Sequence, residues 1–366
     1  MHYFAGLYIM GIWVQTGLNI GNRVSSERNM IMVTVKDIAK ASGVSASTVS
    51  IILNGKSQER KISEKTCQKV WKAVKDLGYQ PSIAARTLRE GEKNAPYTIA
   101  LYWAKDFRTT MLSRFLNGLE TVRQNTDIPY EITVYPYDTD HLNRQKALLT
   151  GRRFHAAILA NTSQADIDFI KNAFFPVPVV LYNRQLPGFY SVAVDNFRMG
   201  ALAGEALLQK GKKMPRILTW DTTFPGMEQR IAGFISTMAD HGIQVAPDHI
   251  LHGHNSPESG AAMTRRILNE TKCCDSIYCL SDAAAYGCLF TLNQAKISVP
   301  ETISVISIGN GEKEYAMYAT PPLSTVYLPM EDMASHCLSI LLAHLSHQPV
   351  PSPQILLDTP LILRTS

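Results

Sequence analysis

The sequence predicts a small all-α headpiece near the N-terminus, followed by a larger α/β domain with two parallel-sheet lobes. Three observations point there. The 366 residues are too many for one small core and suit two or three domains. Residues 34–54 read TVKDIAKASGVSASTVSIILN, two short apolar-faced helices about a glycine turn. From Thr98 onward, short β-branched runs alternate with helical periods, and more strands follow than one sheet accommodates.

Composition sets the class. Hydrophobic content of 45% and charged content of 18% belong to an ordinary globular chain. The net charge of +5 is unevenly spread. Residues 32–91 hold 11 Lys+Arg against 5 Asp+Glu, residues 92–366 hold 23 against 25, and residues 1–31 add one positive charge. The positive excess therefore sits in one small domain, as for a module that meets a polyanion; a solvated charged face would look the same.

Residues 1–31 open with MHYFAGLYIMGIWV, apolar but interrupted at Gln15 and Asn19. The stretch is short for a membrane span and lacks the basic start and cleavage site of a signal peptide. It is expected to be a non-functional extension, with the working protein beginning near Met32 and acting without a membrane.

In the headpiece, residues 32–80, Thr34 is a natural N-cap, and Asp37 at the third helical position faces the exposed N–H groups. Val35, Ile38, Ala39 and Ala41 give the first helix an apolar side. Gly43 ends it in a left-handed conformation, and Val44 fills the corner. Ser45 caps a second helix, 46–53, with Val49, Ile52 and Leu53 inward. A third helix runs from Ser63 to about Leu77, with Val70, Trp71, Val74 and Leu77 at helical spacing. Residues 81–96 form a segment too short to be a stable helix alone, followed by a linker.

The rest, residues 97–366, is expected to divide into an N-lobe of about 97–193 plus 322–345 and a C-lobe of about 194–321 plus 346–366. TIALYW, YEITVYP, AAILA, PVVLY, SVAV, RILTW, a stretch near 249–252, SIYCL, SVISI, QILLD and LILR read as strands. Helices are expected at 110–123, 140–150, 164–173, 196–210, 228–241, 257–270, 283–295 and 330–346. Ligands of such folds bind at the carboxyl ends of strands, here in the cleft between lobes.

The six cysteines form no CxxC pair, and no His completes a zinc site, so reduced thiols in the cytoplasm, no metal and no cofactor are expected. No P-loop, GxSxG, HExxH or post-strand GxGxxG occurs, so no catalytic residue and no enzyme are expected.

TVKDIAKASGVSASTVSIILNG, LGYQPSIAARTLR, SVAVDNFRMG, RIAGF, the SD of YCLSDAAAYG and VPETISVISIG resemble the LacI/GalR family of bacterial transcription regulators over about residues 32–364. The resemblance implies a periplasmic-binding-protein-like effector domain that carries the dimer interface. It further implies a homodimer whose paired headpieces bind a roughly palindromic operator in double-stranded DNA, and a hinge that becomes helical on DNA. The second helix would enter the major groove. Ser45, Thr48, Ser50 and Asn54 match positions that hold the DNA backbone, and Thr34 is counted with them. Base reading falls to Ala46, Ser47 and Ile51. Ile51 replaces a long polar side chain of many relatives; it can pack on a thymine methyl, or simply against the headpiece. Leu88 matches a leucine that wedges into the minor groove, flanked by Ser82 and Arg86.

The resemblance also implies effector contacts. Arg230 matches the arginine of the RxxGF motif, which holds hydroxyls or a carboxylate by a fork of donors. Asp282 lies at a strand end facing the cleft. Asn183 replaces a frequent Asp, and Arg184 follows it. Asn255 stands near where some relatives place an aromatic, and Thr110 and Met111 open the helix after the first strand, where relatives contact ligand. Trp103 ends the first strand and can stack on a sugar face; Trp220 reads better as core. The expected protein is thus a repressor with a carbohydrate-like small-molecule effector. An activator, or an exported or anchored solute-binding protein, is the alternative.

Overall fold

A computed structural model describes residues 34–53, 57–77, 96–106, 111–221, 224–270, 274–311, 313–350 and 352–366. The chain divides into two compact units at Gln80/Pro81.

The first unit contains α1 (Val35–Ser42), α2 (Ala46–Leu53) and α3 (Glu64–Asp76). Thr34 and Asp37 form a reciprocal capping box at the start of α1, and Gly43 ends it at φ 68°. The fully buried residues are Ile38, Val49, Ile52, Val70 and Ala73, with Val35, Ala39, Val44, Leu53, Ile62, Cys67 and Val74 packed around them. Trp71 and Leu77, expected to face inward, are 51% and 40% exposed. Val70, Ala73 and Val74 take the inward stripe of α3. Trp71 stands about 100° further round the helix, and Leu77 follows its last turn.

The second unit holds two six-stranded sheets of the same winding. The N-lobe contains β1 (Tyr97–Ala104), β2 (Tyr130–Tyr137), β3 (Ala156–Ala160), β4 (Val179–Tyr182), β5 (Tyr190–Val194) and β11 (Gln354–Leu357), in the order β11-β5-β4-β3-β1-β2. The C-lobe contains β6 (Pro215–Trp220), β7 (Ile250–Gly253), β8 (Ser276–Cys279), β9 (Ser304–Gly309), β10 (Ser324–Tyr327) and β12 (Leu361–Ile362), in the order β12-β10-β9-β8-β6-β7. Every pairing is parallel except β10 with β12. Parallel strands covered on both faces must be apolar throughout, and β3, β4 and β8 are buried at every residue.

The C-terminal part differs from the expected lobe division. Within 322–345, β10 pairs with β9 in the C-lobe, while the helix Met330–Leu345 packs on the N-lobe helix Leu112–Arg123 and on β3, β4 and β5. Within 346–366, β11 joins β5 in the N-lobe, and only β12 returns to the C-lobe. No strand is expected at β10 from sequence, because STVY is short and half hydroxylic. Its polar atoms are satisfied late in the chain: Ser324 N–H donates to Ser366 Oγ at 2.7 Å, and Arg364 N–H donates to Ser324 Oγ at 3.0 Å. The chain therefore crosses between lobes three times, after β5, after β10 and after β11.

Candidate nucleic-acid interface and ligand cleft

In the headpiece, the N-terminus of α2 is built from hydroxyls. Ser45 Oγ accepts from Thr48 N–H at 3.1 Å and lies 2.8 Å from both Ser47 Oγ and Thr48 Oγ1. The first turn of α2 carries no acidic residue. Free N–H groups, the positive end of the helix dipole and neutral hydroxyls together suit phosphate oxygens. Ser45, Ala46 and Ser47 are exposed, while Thr48, Ser50 and Ile51 are half-buried. Val49 and Ile52 point into the core, which leaves the opposite face of α2 for a partner. Ile51 is not among the side chains packed on that core. Thr34 is exposed and committed to its capping box. Asn54, Ser82, Arg86 and Leu88 lie outside the described residues, as does residue 110 of the second unit.

In the second unit, the carboxyl ends of the strands bring Trp103, Tyr182, Trp220 and Tyr278 into one buried cluster that spans both lobes. Trp103, 2% exposed, meets Phe115 edge-on at 5.3 Å and Tyr182 at 6.5 Å. Trp220 is core, as expected, and stands against Phe224. The Trp103 Nε1, the Tyr182 and Tyr278 hydroxyls and the Asn183 Oδ1 are buried without a hydrogen-bond partner. Such groups are costly to leave dry and mark where a polar molecule fits.

Arg230 sits on the helix Pro225–Asp240, which crosses Asn196–Gln209 at glycine contact. A Cβ on Gly200 would stand 1.8 Å from the Arg230 carbonyl oxygen, and one on Gly233 would stand 2.0 Å from that of Phe197. The glycine of the RIAGF motif thus sets the approach that places Arg230. Its guanidinium Nε donates to Asn196 Oδ1 at 2.8 Å, and burial lowers its pKa from the usual arginine range. Met111, half-buried, precedes the helix Leu112–Arg123 and packs on the same cluster.

Other expected contacts are engaged within the protein. Arg184 Nε and Nη2 donate to the Thr162 carbonyl at 3.0 and 2.7 Å, and Nη1 donates to that of Asn183, so it ties the loops after β3 and β4. Asn183 adopts φ 53°, a left-handed conformation that asparagine tolerates. Asn255 Oδ1 accepts from Ser281 Oγ at 2.6 Å, and Ser281 caps the helix Asp282–Gln294. Both carboxylate oxygens of Asp282 have partners: Ser307 Oγ donates at 2.5 Å and Gly311 N–H at 2.9 Å. Burial pushes the Asp282 pKa up to about 6, against those two hydrogen bonds.

The Asp282 shift has a pH consequence. Folded Asp282 holds its proton to about pH 6, whereas an unfolded Asp releases it near 3.8. Between those values the native state binds more protons, so stability falls as pH rises through the window. The stability difference between wild type and Asp282→Asn should change by roughly 2 kcal/mol between pH 4 and 7 and level off above it, measured by urea unfolding.

Sequence reasoning missed Arg114. It is 1% exposed on the N-lobe helix Leu112–Arg123. Its Nε donates to Glu331 Oε1 at 2.6 Å, Nη1 to the Gly311 carbonyl at 3.0 Å, and Nη2 to the Leu328 carbonyl at 3.1 Å, to Glu331 Oε2 at 2.5 Å and to the Tyr327 hydroxyl. Because Gly311 also donates to Asp282, a continuous polar chain joins the two lobes. Burial disfavours the Arg114 charge, but its bonds to Glu331 and the neighbouring Tyr327 outweigh that and raise its pKa. The available signal was position: Arg114 falls on the apolar stripe of Phe115, Gly118, Leu119 and Val122.

Among the described residues no helix is long and apolar enough to cross a membrane, and no cluster of His, Cys, Asp and Glu is arranged to hold a metal.

A helix-turn-helix headpiece in one chain with a two-lobed, ligand-binding type of α/β domain defines a DNA-binding regulator. Residues 34–82 match the family model of bacterial regulatory proteins, lacI family, and residues 204–366 match a periplasmic binding protein-like domain. A LacI family transcription regulator from Clostridium acetobutylicum is 34% identical, with a TM-score of 0.70 over 74% of this chain and all of that one. The HTH-type transcriptional repressor PurR of Proteus mirabilis is 27% identical over 325 residues, 85% of this chain and 90% of the relative. The lac repressor dimer bound to operator and the anti-inducer ONPF has the same fold, with a TM-score of 0.64 over 91% of this chain and 98% of that one at 21% identity. The chain belongs to the LacI family of DNA-binding transcription regulators.

Proposed function

We propose that the protein is a cytoplasmic repressor that binds a roughly palindromic operator as a homodimer and is controlled by a small molecule between its lobes, a sugar or sugar derivative. The observation that carries the reading is the outward face of α2, with exposed hydroxyls at its N-terminus and Ile51 off the core. Thr34, Ser45, Thr48, Ser50 and Asn54 hold phosphates. Ala46, Ser47 and Ile51 meet base edges, with apolar contact to a thymine methyl in place of polar readout. Leu88 of the hinge wedges into the minor groove at the operator centre, and Ser82 and Arg86 beside it reach phosphates.

In the cleft, Trp103 supplies a stacking face, Arg230 and Asn183 supply polar contacts, and Met111 lines its N-lobe edge; Thr110 is counted with them on the family resemblance alone. Arg184, Asn255 and Asp282 act mainly by holding the loops in place, since their polar atoms are committed within the protein. Only a ligand with different affinity for two lobe arrangements can shift them. The named repressors among the relatives support repression over activation, and the operator-bound lac repressor dimer supports the two-fold assembly.

Footprinting on DNA upstream of the chain's own coding region tests the reading. Two protected half-sites about one helical turn apart are expected. A single protected half-site, or protection without position, would contradict the dimer.

A further inference from the structure

We propose that Asn196 is a positioning residue for Arg230, and that Gly226 is small so that the Asn196 amide can lie across its helix. Together they fix which edge of the guanidinium faces the cleft. This rests on the reading of the cleft as the sensor site and adds two residues that act behind it.

Asn196 is the first residue of the helix Asn196–Gln209, just past the end of β5, where the chain leaves the N-lobe. Its side chain and that of Arg230 are both buried. Arg230 Nε donates to Asn196 Oδ1 at 2.8 Å, and Asn196 Nδ2 donates to the Val194 carbonyl at 3.4 Å. A guanidinium only donates, so the oxygen end of the amide must be the one it meets. One amide thus touches the end of an N-lobe strand and the arginine of a C-lobe helix.

Gly226 and Arg230 stand four residues apart on the helix Pro225–Asp240, and so on one face of it. A Cβ on Gly226 would lie 3.2 Å from Cγ, Oδ1 and Nδ2 of Asn196 alike. Three equal distances mean that the amide turns its flat face to that position. Glycine in a helix is less favourable than alanine, because it loses more chain entropy. Gly226 does not adopt a left-handed φ, so space rather than backbone freedom calls for glycine there.

The consequence is geometric. A guanidinium offers two pairs of parallel donors, Nε with one Nη along its side and Nη1 with Nη2 at its end. Asn196 is the one hydrogen-bond partner of the Arg230 guanidinium among the described residues, and it takes Nε. The end pair is left for two neighbouring acceptor oxygens of an effector. Without Asn196 the side pair would compete with it, and the fork would lose its fixed direction.

The full chain with isotope-labelled arginine tests this through the Nε–H signal of Arg230, assigned by its absence from Arg230→Lys. Solvent exchange of that proton is expected to be about tenfold or more faster in Asn196→Ala than in wild type. Asn196→Asp, which keeps the oxygen, should restore the protection. Gly226→Ala should lower the melting temperature of wild type but raise that of Asn196→Ala, where the amide is gone and alanine favours the helix. If Asn196→Ala does not fold, Gly226→Ala decides alone, by faster exchange of the same proton. Equal exchange in wild type and the variants, or a Gly226→Ala effect of the same sign in both backgrounds, would overturn the proposal. D-glucose, D-ribose and D-gluconate serve as cleft probes by thermal shift. Whichever raises the wild-type melting temperature should raise that of Asn196→Ala by less than half as much; an undiminished rise would overturn the role in orienting Arg230. If none raises it, the sugar-sensor reading is contradicted instead, and the exchange of the Arg230 proton still decides the role of Asn196.

Discussion

Replacing Arg114 with alanine is expected to destabilise the two-lobed domain by about 3–5 kcal/mol, the usual cost of orphaning a buried ion pair. The guanidinium serves Glu331, Gly311, Leu328 and Tyr327 together, and its side chain is 2% exposed. Its loss strands the Glu331 carboxylate, whose pKa is now held below the usual range because Arg114 outweighs burial. It also releases the Gly311 carbonyl, the point at which the N-lobe helix holds the C-lobe loop. Lysine should not rescue, since one ammonium cannot replace the fork. The double variant Arg114→Met with Glu331→Leu should recover much of the stability, because a well-packed apolar pair often equals a buried ion pair. It should not recover the wild-type response of operator affinity to effector if the strut couples the lobes. Denaturant unfolding and operator titration with and without effector read the two effects separately.

Ile38→Ala is expected to abolish operator binding while leaving the two-lobed domain intact. Among the described residues the headpiece core has five buried apolar side chains, and Ile38 of α1 is 0% exposed. Truncating a buried isoleucine costs about 2–5 kcal/mol, as much as a domain of this size commonly has. Operator affinity should fall more than about 100-fold, since 1.4 kcal/mol is tenfold. The main thermal transition, carried by the two lobes, should not move. A headpiece that binds normally with alanine at 38 would mean that its core lies elsewhere.

What was legible in the sequence was mostly local. The capping box of Thr34 and Asp37, the turn at Gly43 and the cap at Ser45 each act over three or four residues, so residues 34–53 could be read almost atom by atom. Alternating strands and helices were legible for the same reason, since parallel strands are apolar throughout. Trp71 shares helical spacing with Val74 but lies off the stripe that Val70, Ala73 and Val74 turn inward, and spacing alone does not say which side of a short helix is covered. The lobe assignment of β10 and β11 was hidden, because STVY and QILL show nothing of which sheet they join. The Arg114–Glu331 pair spans 217 residues and could be seen only in three dimensions. Arg230 was legible as a motif, but its hydrogen bond to Asn196, 34 residues away, was not, because nothing local in the sequence pairs the two.

The central claim is that α2 reads DNA sequence and that the remainder of the chain governs that act. Selection of the full-length protein against a pool of randomised duplexes, at modest salt and with Ile38→Ala as the blank, tests it most directly. The account predicts enrichment of one inverted-repeat motif, bound roughly 10³-fold or more tighter than scrambled duplex of the same composition. A pool that stays random, with affinity that follows salt alone and equals that for scrambled DNA, would contradict it.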